Sequence, residues 1–235
     1  MYLYAFDEYV GNDRIFSAPG IVLPIGTLFV SQGRKYLVLW ETVAFSETYK
    51  HTFRGHPDEV LGLLLSDKEI TLIHYMANTY FALYKNIVSL FVDDPLAVFV
   101  WSKIKKIPSS SHFLLDGHSL STHVSVGQQL VVFPDLWTLT STLSAFGDMD
   151  CSTWHHGLTH KQQTRLFDAI AQGSSTVLCC THGGIFRRWA DLCSIVLVEP
   201  NAWYYHNYQE PRYSVPDLLI KMSEIYGATI DFLRY

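Results

Sequence analysis

The stretch Gln129-Leu-Val-Val-Phe133, which turns at Pro134-Asp135 and continues as residues 136–146, decides the fold of this chain. Residues 130–133 are a short continuous apolar run, and residues 136–146 carry apolar residues at helical spacing. Apolar strands that alternate with amphipathic helices are typical of a parallel sheet covered on both faces. The stretch therefore predicts an α/β fold for the part of the chain around it.

The same alternation continues to the end of the sequence. Further short apolar strands are predicted near residues 149–154 and at 176–179, 195–198 and 228–232, with helices at 159–171 and 215–226. The pattern predicts one parallel α/β domain over residues 116–235.

The first hundred residues follow a different pattern, with strands first and helix afterwards. Residues 27–30 and 35–40 flank the turn Ser31-Gln-Gly-Arg34 and predict a β-hairpin. A capping box, Ser66-Asp-Lys-Glu69, opens a helical pattern that continues past Tyr84 and stops at Asp93-Asp-Pro95. We predict a small β-rich domain over residues 1–100 and, from its Lys, Pro and Ser content, an exposed linker over residues 101–115.

Composition excludes a transmembrane protein. The 235 residues are 49% hydrophobic, yet the longest apolar runs, such as 60–65 and 195–198, are far shorter than the ~20 residues that cross a bilayer. The N-terminal segment, residues 1–8, contains two acids and no basic residue, unlike a secretory signal. A cytoplasmic protein without a membrane partner is expected.

Charge argues against extensive DNA binding. Residues 1–115 contain 10 Lys and Arg against 11 Asp and Glu, a net of −1, and residues 116–235 contain 7 against 11, a net of −4. Proteins that grip duplexes through phosphates present a basic face, which neither half supplies in excess. Any DNA contact is therefore expected to be local and weak.

Cysteine and histidine spacing predicts no metal site and no bound cofactor. The four cysteines form no C-x-x-C pair, and Cys179-Cys180 fall on a predicted buried strand, so plain buried thiols are favoured over a zinc site. His155 and His156 are neighbours on a predicted strand, where adjacent side chains point to opposite faces and cannot easily share one ion.

Four motifs in chain order carry a family resemblance. They are the Pro-Asp-Leu-Trp-Thr segment from Pro134, the His-His-Gly-Leu-Thr element from His155, the Thr-His-Gly-Gly-Ile-Phe element from Thr181, and residues 198–213 with Asp217. Together they resemble the bacterial replication-restart helicase family PriA, from its second helicase motif to its Asp-Glu-Glu-His box and trailing Pro-Arg-Tyr. The resemblance implies that residues 116–235 are a single degenerate RecA-like helicase lobe, without the second motor lobe or the cysteine-rich zinc module.

The N-terminal region is similar to the PriA domain that holds a DNA 3′ end. In that family the terminal nucleotide meets a Phe-Asp pair, a glycine of a hairpin loop and a cation, which by position correspond to Phe16, Ser17, Gly33 and Arg54. The change from Asp to Ser17 removes a charged acceptor that reads the base edge. A DNA binder is also expected to collect its basic residues on one face: Arg14, Arg34, Lys35 and Arg54.

The same comparison implies that the ATPase motor is dead. Phosphoryl transfer needs a glycine-rich loop with a Lys and a strand-end Asp that holds Mg²⁺. The phosphate loop aligns with Gly117–Val124, where His123 stands in place of the Lys and the internal glycines are missing. Val198 stands in place of the Asp, so that Glu199 remains alone. Only sixteen residues separate Gly117 from Pro134, too few for a phosphate-binding helix and the turn after it.

Two functions are therefore expected. The leading hypothesis is a non-catalytic, PriA-like protein of replication restart that weakly recognises DNA 3′ ends or forks. The alternative is a helicase remnant that binds another replication protein through an aromatic surface. Two aromatic segments, 187–189 and 203–205, fit either base stacking or a structural role in a core or interface.

Overall fold

The computed structural model describes residues 2–7, 13–17, 23–42, 52–54, 57–91, 110–116, 119–146 and 150–234. The chain divides into two compact units, Met1–Trp101 and Ser102–Tyr235. In the described residues, no helix has the length and apolar character that crossing a bilayer requires. The fold is mixed α/β, as predicted, and each unit has its own sheet.

The first unit is built on a six-stranded sheet in the order β5-β2-β1-β4-β3-β6, followed by two helices. Only β2 and β5 pair in parallel, and the other neighbours are antiparallel. The elements are β1 Tyr2–Asp7, β2 Asp13–Ser17, β3 Thr27–Ser31, β4 Arg34–Thr42, β5 Thr52–Arg54, β6 Glu59–Leu63, α1 Asp67–Tyr80 and α2 Tyr84–Phe91.

The predicted β-hairpin is confirmed. Strands β3 and β4 pair antiparallel with Ser31 opposite Arg34, and Gly33 takes a φ of +71° in the turn, a conformation that glycine adopts without steric cost. Across the hairpin the rings of Phe29 and Tyr36 stack with their centroids 5.4 Å apart in the core.

The predicted single helix after Ser66 is two helices. Helix α1 begins at the expected capping box, but it ends at Tyr80 because Phe81 takes a left-handed φ of 52°, and α2 starts again at Tyr84. The apolar spacing runs on through the break, so periodicity alone could not show it.

The second unit starts with a hairpin in place of the last part of the predicted linker. Residues 101–109 lie outside the described residues, but Ser110–Asp116 form a strand, so the linker prediction is wrong there. The elements are β7 Ser110–Asp116, β8 Ser119–Ser125, β9 Gln128–Val132, α3 Leu136–Phe146, β10 Ser152–Trp154, α4 His160–Ala171, β11 Val177–Cys180, β12 Leu192–Val198, β13 His206–Asn207, β14 Tyr213–Ser214, α5 Val215–Tyr226 and β15 Thr229–Leu233.

The predicted parallel sheet is confirmed. It contains five strands in the order β10-β11-β9-β12-β15, and every neighbouring pair is parallel. Val196 and Val198 point into a core cluster with Leu139 of α3, while the alternate residues Ile195 and Leu197 are also fully buried. Both faces of the central strands are therefore covered.

One buried amide joins the central strand to three other segments. Gln128, at the start of β9, has no exposed surface, and its Nε2 donates to the carbonyls of Ile170 and Ser175 at 2.9 and 2.8 Å. Its Oε1 accepts from the backbone N–H groups of Ala190 and Asp191 at 2.8 and 2.9 Å. All four hydrogen-bonding positions of the amide are used, which is how a buried polar group becomes stabilising.

Candidate functional site

The carboxyl edge of the parallel sheet contains a topological switch point. From β9 the chain passes through α3 to β10, two positions to one side, while from β12 it passes through α5 to β15 on the other side. Strands β9 and β12 are neighbours, with Val132 opposite Leu197. In open α/β sheets the crevice outside two such strand ends is where ligands bind.

Tyr205 lies buried at this switch point. Its side chain has no exposed surface, and its hydroxyl lies 2.6 Å from the carbonyl oxygen of Val198 and 3.1 Å from that of Val132. These carbonyls end the two strands at the switch point. Burial raises the pKa of Tyr205, and the nearby Cys180 and Asp135 raise it further, so the hydroxyl keeps its proton and donates it.

The two positions that resemble a magnesium site do not form one. Val198 is fully buried in the core cluster with Phe133 and Leu139. Glu199 follows with a φ of 53°, and its backbone N–H donates to Leu233 at 2.7 Å while its carbonyl accepts from Ala202. A single partly exposed carboxylate beside a buried valine is a poor site for Mg²⁺, which prefers several oxygen ligands.

The described part of the segment that resembles a phosphate loop, residues 119–124, is β structure. Gly117 lies outside the described residues, and His123 is in β8, opposite His112 of β7. Residues 119–132 form β8, a turn at Val126-Gly127 and β9. A phosphate cradle uses the N-terminus of a helix, and this described segment contains strands instead.

The residues compared with the DNA-end pocket fall in two places. Ser17 of β2 and Arg54 of β5 are register partners, and Phe16 is opposite Phe53. Gly33 is at the other end of the sheet, because Ser17 pairs with Tyr2, Tyr2 pairs with Thr42, and Gly33 precedes the nine-residue strand that Thr42 closes. At about 3.3 Å per residue, this strand separates Gly33 from the Ser17 row by about 30 Å.

The expected single basic face does not form. Arg34 and Lys35 are consecutive residues of β4, so their side chains leave opposite faces of the sheet. The four cations expected on one face are therefore divided between two.

The two aromatic segments, 187–189 and 203–205, differ in how much of their side-chain surface is exposed. Arg187 and Trp189 are buried, and the Arg187 guanidinium lies 3.7 Å from the centroid of the Phe167 ring, so this segment packs in the unit. In the other segment Tyr205 is buried, whereas Trp203 and Tyr204 are exposed, with ring centroids 4.0 Å apart.

Two histidines that are distant in the sequence, His156 and His182, lie close together in the structure. His155 and His156 follow β10 and are not on the strand, which corrects the prediction that they share one. His155 Nδ1 accepts from the N–H of Gly157, while the ring of His156 lies 6.3 Å from that of His182, at the end of the neighbouring strand. No sequence signal links the two, since 25 residues separate them and only strand pairing brings them together.

Cys179 and Cys180 are buried on β11, as predicted. Burial raises the pKa of the Cys180 thiol to about 12. The Cys179 thiol is hydrogen-bonded to Cys151, which lowers the pKa of Cys151 and raises that of Cys179.

Comparison with known proteins gives no family. The chain matches no protein-family model, and no curated protein sequence matches it. The function must therefore be inferred from the geometry above.

Proposed function

We propose that this chain is a non-catalytic binding protein, a remnant of a PriA-like helicase whose RecA-like lobe binds another replication protein. The observation that carries the proposal is Tyr205, which occupies the switch-point crevice and uses the carbonyls of Val132 and Val198 as its acceptors. A lobe whose ligand crevice is filled by its own side chain has no room there for a nucleotide.

A surface suited to a partner lies at the same edge of the sheet. Trp137 opens α3 after β9, and residues 203–205 form a short 3-10 helix after β12, the neighbouring strand. Exposed aromatic side chains of this size are the residue types that dominate binding energy at interfaces. We call the following four residues the aromatic edge: Trp137 (78% exposed), Trp203 (64%), Tyr204 (44%) and Tyr208 (71%).

Charge favours a protein partner over DNA at the aromatic edge. Residues 116–235 have 7 basic against 11 acidic side chains, and Asp135 and Glu199 flank Tyr205. Glu210 is exposed nearby in sequence, with Arg212 as a single balancing cation. Single-stranded DNA binders combine stacking aromatics with a positive groove, and this surface has the aromatics without the charge. A partner with an apolar patch and basic rim fits better.

Site-specific photocrosslinking in cells tests the proposal. A benzophenone amino acid in place of Trp203 is expected to form a covalent adduct with one protein, which protease removes and nuclease leaves intact. The matched control carries the same group in place of Ile220, an exposed apolar residue of α5 that is not one of the four residues of the aromatic edge. The purified partner is then expected to bind Trp203→Ala at least tenfold more weakly, which corresponds to about 1.4 kcal/mol.

Three results would contradict this function. They are an adduct at residue 203 that nuclease removes, equal adducts at residues 203 and 220, and partner binding unchanged by Trp203→Ala. The first result would show that nucleic acid binds at the aromatic edge. Either of the other two would show that the aromatic edge is not the partner-binding surface.

DNA 3′-end binding by the first unit is the second candidate. The observation that favours it is the pairing of Ser17 with Arg54, which places a hydroxyl-bearing and a cationic residue side by side on neighbouring strands next to Phe16. Gly33 is not near this row, so an end-binding site here rests on Phe16, Ser17 and Arg54 alone.

Fluorescence binding to oligonucleotides with free and phosphate-blocked 3′ ends tests this second candidate. We expect weak binding with a shallow salt dependence, because few phosphates are contacted. The Phe16→Ala variant is expected to lose about 1–3 kcal/mol, as for removal of one base stack. Gly33→Ala is the matched control and should bind as the wild type does. Binding that ignores the 3′ block and the Phe16 change would exclude the site.

A further inference from the structure

Two imidazoles from different strand ends stand together in the second unit. His156 follows β10 and His182 follows β11, and the two strands are parallel neighbours with Trp154 opposite Cys180. The ring centroids are 6.3 Å apart with planes at 64°. They lie at the carboxyl edge of the sheet, the edge at which α/β proteins hold their ligands.

The indole ring of Trp154 packs against His156 and against the residue after His182, and so positions the two histidines. The buried indole of Trp154 lies 5.0 Å from the His156 ring, edge to face. Gly183 follows His182 and lies against the same indole, since a Cβ there would be 2.6 Å from the Trp154 Cη2 atom. A residue larger than glycine would push this loop away from Trp154 and separate the histidines.

Arg187, a buried cation whose guanidinium lies over the Trp154 ring, has partners of its own. It donates to the carbonyls of Phe186 and Gly183 and stacks on Phe167. The two imidazoles are side chains of the type that most commonly ligates metals in proteins.

We propose that His156 and His182 together bind one divalent transition-metal ion of the zinc and copper class, with water in the remaining positions. A metal 2.0–2.1 Å from a histidine nitrogen is about 3.2 Å from the ring centroid, so two rings on one ion lie at most about 6.4 Å apart and about 5.2 Å apart in tetrahedral geometry. The observed 6.3 Å is about 1 Å longer than the tetrahedral separation, and a rotation of the exposed His156 side chain would bring the two rings to that distance.

The bound ion would be exchangeable. In the described part of the chain, no group of three or more His, Cys, Asp and Glu side chains could hold a metal ion. Two protein ligands leave open coordination positions, unlike a closed structural zinc site with four. The site would therefore take up and release the ion without unfolding the protein.

Copper titration of the full-length protein tests the site, because Cu²⁺ binds nitrogen sites most tightly of the first-row divalent ions and quenches nearby indole fluorescence. We expect partial quenching that saturates at one ion per chain and is lost in Trp154→Phe. Both His156→Ala and His182→Ala should bind at least about tenfold more weakly. His160→Ala removes an exposed histidine at the start of α4 and is the matched control.

Electron paramagnetic resonance of the copper-loaded protein should show two nitrogen ligands. Far-UV circular dichroism identifies any variant that fails to fold. If His182→Ala does not fold, the test relies on His156→Ala, which changes an exposed residue. Unchanged copper affinity in folded His156→Ala would overturn the proposal, as would an equal loss in His160→Ala.

Discussion

The hydroxyl of Tyr205 lies 2.6 Å from the carbonyl oxygen of Val198 and 3.1 Å from that of Val132. Val198 is the last residue of β12, and Val132 is the last residue of β9. One buried side chain thereby contacts the carboxyl ends of two neighbouring strands.

Tyr205→Phe is expected to destabilise the second unit by about 1–3 kcal/mol, because the buried hydrogen bond from its single hydroxyl proton to the carbonyl of Val198 is lost while the ring volume is kept. Urea denaturation measures the change. Tyr208→Phe, which removes an exposed hydroxyl, is the control and should change the free energy of unfolding by less than about 0.5 kcal/mol. Equal effects of the two changes would show that the Tyr205 hydroxyl is dispensable.

Mg-ATP is expected to give no binding heat with the full chain. Tyr205 lies buried at the switch point, and His123 and the apolar Val198 stand where the family that the sequence resembles has a Lys and an Asp. Isothermal titration calorimetry makes the measurement. One-site binding that disappears on changing His123 or Glu199 would overturn the non-catalytic proposal.

Gln128→Leu is expected to destabilise the protein by about 3–5 kcal/mol, since it strips two backbone N–H groups and two carbonyls of their partner in a buried site. Thermal and urea unfolding report the loss. Gln209→Leu changes an exposed residue in the same way and should have little effect. A small loss in Gln128→Leu would mean that water or a shift of the segments replaces the amide.

Gly183→Ala is expected to cost about 1–3 kcal/mol through overpacking against Trp154. Most of that cost should vanish in a Trp154→Leu background, because the ring edge that clashes is then gone. Gly33→Ala serves for comparison: its Cβ meets no atom within 4 Å, so its cost arises from the φ of +71° and persists in the same background. A double-mutant cycle by urea denaturation separates the two, and additivity of Gly183→Ala with Trp154→Leu would refute the contact.

The cysteines are expected to react with iodoacetamide in a defined order. The Cys179 thiol stabilises the Cys151 thiolate by hydrogen bonding and so lowers the pKa of Cys151, whereas burial raises the pKa of Cys180 to about 12. As pH rises, Cys151 therefore ionises below the pH at which an ordinary thiol does, and Cys180 stays protonated throughout the neutral range. Peptide mapping of the native protein at pH 8 should find Cys151 alkylated first.

Cys180 should react only after urea unfolds the protein. Cys151→Ser is the control and should remove the first alkylation step. Equal labelling of Cys151 and Cys180 in the native state would show that these thiol environments are not as described.

Much of the second unit could be predicted from local sequence. The helices predicted at 136–146 and 215–226 have the bounds observed for α3 and α5, and the helix predicted at 159–171 is α4, His160–Ala171, with Thr159 as its N-cap. These elements can be predicted because each apolar strand is bounded by a Pro, Gly or capping residue, and because the apolar residues of each helix recur at helical spacing. The parallel sheet follows, since apolar runs buried on both faces allow few other arrangements.

The end of α1 shows where local pattern fails. Phe81 leaves the helix in a left-handed conformation that glycine usually takes, and the apolar spacing of its neighbours hides the break. The hairpin of β7 and β8 was missed for a related reason. The run Pro108-Ser-Ser-Ser111 is typical of a linker, and it overlaps the start of β7.

The amino-acid sequence by itself determined the strands and helices of the parallel α/β part of the second unit and the net acidic charge of that part. Only the tertiary structure decided that β9 lies between β11 and β12. Strand order depends on how the crossover connections pack, and a short stretch of sequence does not show it. That order places Tyr205 over two strand ends, and the pairing of β10 with β11 sets His156 beside His182. Both contacts join residues far apart in the chain, and such contacts exist only once the sheet has formed.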